Sequence, residues 1–74
     1  MTYIIETKEN IRECITWCKQ NISTHGGYIN DHQLLSGPDG WEAMGRWRVY
    51  DGWSATTFYF KNQEDAALFK LRWG

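Results

Sequence analysis

Asp51-Gly52, set between two runs that alternate apolar and polar residues, limits what this chain can become more than any other feature. Asp-Gly favours a type I′ hairpin turn, because that turn needs positive φ at both central residues. The pattern predicts a hairpin over Trp41 to Lys61 in which Tyr50 opposes Trp53, Arg48 opposes Ala55, Arg46 opposes Thr57 and Met44 opposes Tyr59. Trp47 then opposes Thr56, Gly45 opposes Phe58 and Ala43 opposes Phe60. One face gathers Trp41, Ala43, Gly45, Trp47, Val49, Phe58 and Phe60, with small residues opposite rings, as core packing prefers. The other gathers Arg46, Arg48, Tyr50, Trp53 and Tyr59. A one-residue slip would exchange the faces, so the register is strongly specified.

Elements on either side follow from periodicity. Thr2 to Glu6 is short, β-branched and aromatic, which suits a first strand. Thr7 is placed to cap a helix from Lys8 to Ile22, because Ile11, Cys14, Ile15, Cys18 and Ile22 fall on one 3.6-residue stripe. Asn62 is placed to cap a last helix, with Glu64 and Asp65 in its first turn and Lys70 and Arg72 in its last. Ala66, Phe69 and Trp73 would face the core from it. Ser23 to Gly40 reads as loop, with a short strand or helical turn near His32 to Leu35 and a surface turn at Gly37-Pro38-Asp39-Gly40. The expected fold is one α+β domain over residues 1–74, β-α-β-β-α, with two helices on one face of an antiparallel sheet. Its element order resembles a ferredoxin-like unit lacking the last strand.

Size and composition narrow the function. A chain of 74 residues leaves room for one marginal core, supplemented by large aromatics or by a partner subunit. Five Trp, four Tyr and three Phe exclude a disordered tail. No apolar run is long enough for a membrane span or an export signal, and two cysteines are too few for a disulfide scaffold. A reducing cytoplasm is the expected location. A net charge of −1 argues against a chain whose main work is holding nucleic acid electrostatically.

Several constellations carry potential chemistry. Cys14, Cys18, His25 and His32 could supply four zinc ligands, yet their spacing matches no common zinc pattern and both cysteines sit mid-stripe, where Cys acts as a small hydrophobe. His25, Asp31, His32 and Asp39 share one loop with nothing to pin them together, and no nucleophile or phosphate-loop motif is present. No enzyme and no cofactor are expected. Arg46, Arg48, Tyr50, Trp53 and Tyr59 form the sharpest candidate surface. Interleaved arginine and aromatics on an open sheet stack bases in single-stranded RNA readers, but Trp, Tyr and Arg are also the residues of protein–protein hot spots. The low charge favours the latter. Trp17 lies off the first helix's stripe and either flanks the core or protrudes as a contact residue.

Thr57-Phe58-Tyr59-Phe60-Lys61-Asn62-Gln63-Glu64-Asp65-Ala66-Ala67-Leu68-Phe69-Lys70-Leu71-Arg72-Trp73-Gly74 resembles the ending of small uncharacterised proteins of tailed phages infecting marine cyanobacteria. The resemblance covers about a quarter of the chain. It implies an accessory phage protein in the host cytoplasm, and it brings no activity or catalytic residue with it. The sequence therefore points to a protein-interaction module that binds itself, a host protein or a phage protein. Single-stranded nucleic-acid binding through the same face is the alternative, and a zinc-stabilised domain follows it.

Overall fold

A computed structural model describes residues 2–37 and 45–73. Strand β1 (Tyr3–Thr7) leads into helix α1 (Ile11–Asn21), strand β2 (Gly26–Tyr28) and helix α2 (Asp31–Ser36). Strands β3 (Trp47–Asp51) and β4 (Thr56–Phe60) and helix α3 (Gln63–Trp73) complete the order. The strands form one four-stranded sheet in the order β1-β4-β3-β2. The class is α+β, as expected.

The sheet is mixed, which corrects the antiparallel expectation. β1 and β3 run antiparallel to β4, whereas β2 runs parallel to β3. β1 and β2 occupy opposite edges and a further strand and helix stand between α1 and β3, so neither strand order nor element order carries the ferredoxin-like likeness. The unexpected strand is built from glycine, a residue that ordinarily weakens strands and often marks a close approach of another group. A Cβ on Gly26 would stand 2.3 Å from the Trp47 indole, so the missing side chain is the space that Trp47 occupies. Trp47 Nε1 donates to the Ser23 carbonyl at 2.8 Å, giving the buried ring its polar partner. Gly45, at φ 135°, lies where a Cβ would strike the His25 carbonyl at 2.4 Å.

The β3–β4 register also differs. Trp47 pairs with Phe60 and Val49 with Phe58, a shift of four residues from the expected pairing. Asp51 pairs with Thr56, leaving Gly52 to Ala55 as a four-residue connection. Gly52 does not adopt the positive φ that a type I′ turn demands. The physical reason is burial. The observed register sets two large buried side chains against two others, where the tighter turn would set Phe58 against Gly45. Because the shift is even, every residue within the paired strands keeps its face.

The first helix starts and stops differently from expectation, whereas the last begins directly after Asn62, with the expected acids in its first turn and bases in its last. Thr7 ends β1, and its hydroxyl accepts from the Glu9 amide at 3.1 Å. Asn10 caps α1 instead, its side chain accepting from the Glu13 amide, so α1 begins three residues later than read. Asn30 and Gln33 form a reciprocal capping box on α2, which fulfils the expected helical turn near His32. At α3, Asn62 stands before the first turn, and its amide donates to Asp65 Oδ2 at 3.3 Å. Trp41, Ala43, Met44, Asp39 and the Pro38-to-Gly40 turn lie outside the described residues.

Helices α1 and α3 cover one face of the sheet. Cys14 and Cys18 from α1, Ile22 at its C-cap, and Ala66 and Phe69 from α3 close on Trp47, Val49, Phe58 and Phe60. Phe69 is the hub, with ring centroids 4.6 Å from Phe58 and 5.2 Å from Phe60. Each such ring removes roughly 150–250 Å² from water, which is how so short a chain supports a core. No helix among the described residues is long and apolar enough to cross a membrane.

Candidate interaction surface

Alternation places Ile4, Tyr59, Arg48 and Gly27 in one row across all four strands, on the face away from α1 and α3. Glu6, Thr57 and Tyr50 form the next row. Ile4 is 62% exposed, while Arg48, Tyr50 and Tyr59 are half-buried. The three middle members of the expected surface are therefore brought together.

Each of them is electrostatically conditioned by its neighbours. Burial lowers the pKa of Arg48 from its ordinary value, and its Nε is buried without a hydrogen-bond partner. The Tyr50 hydroxyl donates to Asp31 Oδ1 at 2.5 Å, and that bond, ahead of burial and nearby charge, raises its pKa. Burial, followed by the Glu6 carboxylate, raises Tyr59. Tyr50 thus ties the start of α2 to the second face, a link that sequence spacing gave no sign of.

The other three expected members lie elsewhere. Arg46 makes a two-pronged pair with the buried Asp65, Nε to Oδ2 at 3.1 Å and Nη2 to Oδ1 at 2.8 Å. Asp65, expected in the first turn of the last helix, is the anchor of this arginine, a role that its helix position does not signal. Trp53 does not face Tyr50. It stands wholly exposed on the four-residue connection between β3 and β4, because the register shift moves it off the strand. Trp17 flanks the core on the opposite side, meeting Phe69 edge-on at 5.9 Å. It shares a groove between α1 and α3 with Trp73, over whose ring the Arg72 guanidinium sits at 4.0 Å.

The zinc candidates do not gather. Cys14 and Cys18 are fully buried, and burial foremost pushes their thiols up to about 11 and about 12. His25 and His32 are exposed. Among the described residues, no group of three or more His, Cys, Asp or Glu is placed to hold a metal ion. No protein-family model, curated protein or solved structure matches this chain.

Proposed function

We propose that this chain is a small protein-binding module, of the phage-accessory kind its C-terminal sequence resembles, that engages another protein through the second face of its sheet. The observation that carries the reading is the Ile4–Tyr59–Arg48 row, where an aliphatic, an aromatic and a guanidinium side chain lie side by side on adjacent strands. Tyrosine and arginine are among the residue types enriched at protein–protein hot spots. Wholly exposed Trp53 adds a second anchor at one end of the sheet.

Single-stranded nucleic-acid binding has one observation in its favour: Arg46, Arg48 and Lys61 line one cleft beside Tyr59. Against it, Arg46 is already paired with Asp65, Arg48 is partly withdrawn from solvent, and Glu6 lies on the same face. Affinity capture with wild-type, Tyr59→Ser and Trp53→Ala chains tests the reading. A retained protein that survives nuclease and high salt, and is lost with either substitution, supports it. Retention that disappears with nuclease, or oligonucleotide binding that weakens steeply with salt, overturns it.

A further inference from the structure

Among the described residues no strand pairs with the outer edge of β1, and the sequence does little to protect it. Natural edge strands are blunted by lysine, proline, bulges or shortness. β1 runs five residues in unbroken pairing with β4 and contains neither lysine nor proline, whereas the opposite edge, β2, spans three residues. The free hydrogen-bonding groups can be assigned by alternation. Val49 O accepts from Ile29 N on the β2 side, so Arg48 and Tyr50 turn their backbone groups toward β4. Phe58 and Phe60 of β4 then bond β1 through Ile5 and Tyr3. The N–H and C=O of Ile4 and Glu6 are left pointing outward.

α3 runs along this same edge. Gln63, Ala66, Ala67 and Lys70 form one flank of the helix and, with Thr2 to Ile5, line a groove. Leu71, 85% exposed, continues that flank outward from Ala67. The groove is self-complementary about its middle. Two flanks set antiparallel would bring Lys70 of one copy to Gln63 and Glu64 of the other, with small alanines at the crossing, where close approach is needed.

We infer that β1 pairs antiparallel with β1 of a second copy about a two-fold axis at Ile4, joining two four-stranded sheets into one and packing α3 against its symmetry mate. In this register Ile4 meets Ile4, Tyr3 meets Ile5 and Glu6 meets Thr2, so no like charges oppose. Isologous pairing of this kind closes at two copies. The inference deepens the reading of the chain as an association module but uses the sheet edge where that reading uses the second face.

Sedimentation of the full chain across concentration tests it, together with Ile4→Pro and Ala67→Glu. The proline removes an outward donor and leaves the β4 ladder its bonds. The glutamate adds a charge to an exposed helix position. Wild type is expected to double its mass with rising concentration while both variants keep their circular dichroism and remain single chains. In a second measurement, Ile4→Cys is expected to oxidise to a symmetric disulfide dimer about tenfold faster than Trp53→Cys, because pairing raises the effective thiol concentration. The buried Cys14 and Cys18 thiols do not compete. Wild type that stays monomeric to about 1 mM overturns the inference. A dimer surviving Ala67→Glu, or equal oxidation rates, does so too. If Tyr59→Ser alone breaks the dimer, the edge is refuted and the second-face reading stands.

Discussion

The two faces of this sheet are made from the same strands by alternate residues, yet they are held by different physics. On the covered face, Trp47, Val49, Phe58 and Phe60 are fully buried and interlock with Phe69. On the other, Arg48, Tyr50 and Tyr59 are half-buried, and Tyr50 depends on one hydrogen bond to Asp31. Shape complementarity stabilises the first face, whereas the second remains adaptable. A face of the first kind specifies the fold, and the second is the face to which the proposed function assigns a partner.

Neighbouring residues on one strand give the sharpest way to break the comparison. Phe58→Ala is expected to cost about 3–5 kcal/mol, because a large ring would leave a cavity that α3 cannot fill. Tyr59→Ala, one residue along, is expected to cost well under half of that in the same denaturant titration. Equal losses would mean that the second face is as structural as the first. Arg46→Ala comes next at roughly 2–4 kcal/mol, since it strands the Asp65 carboxylate inside the α3 junction. Asp65→Asn, which keeps the shape and removes the charge, should recover part of the loss.

A smaller effect, flat through neutral pH and sloping only in alkali, comes in part from two thiols of the covered face. Cys14 and Cys18 hold their protons to about 11 and about 12, against 9.0 for an ordinary thiol. The folded chain therefore binds more protons than the unfolded one above pH 9. Their contribution is complete below that pH and is lost as pH rises through 11 and 12. Melting temperature followed from pH 8 to 11 should fall less steeply in the Cys14→Ala, Cys18→Ala double variant. Tyr50 and Tyr59, both raised, keep their share of the slope in either chain. The smallest effect is Tyr50→Phe, expected to leave the global denaturation midpoint almost unmoved, with faster amide exchange in α2 as its local signature.

Which residues face the core was legible in the sequence, because alternation in strands and the 3.6-residue stripe report burial directly. Phe58, Phe60 and Phe69 fall where their spacing puts them. The register was not legible, because the Asp-Gly turn preference is a local bias of modest size and the burial of paired rings outweighs it. β2 was hidden for the opposite reason: Gly26 and Gly27 carry no side-chain pattern, and only Trp47, twenty-one residues later, explains Gly26. The candidate surface was half legible. Arg48, Tyr50 and Tyr59 share a face by parity, whereas the pairing of Arg46 with Asp65 depends on how α3 docks.

The order of strands carries a kinetic consequence. β1 spans residues 3–7, yet its partner β4 spans residues 56–60, so the first strand of the chain is completed by one of the last. A pairing this distant in sequence demands a long loop closure before it returns any bonding, which slows folding relative to chains built on local contacts. During synthesis β1 must wait, unpaired on both edges, until residues 56–60 have left the ribosome. Native contacts made late then have to outrun encounters with other nascent copies, and chain concentration becomes a variable of folding as well as of assembly.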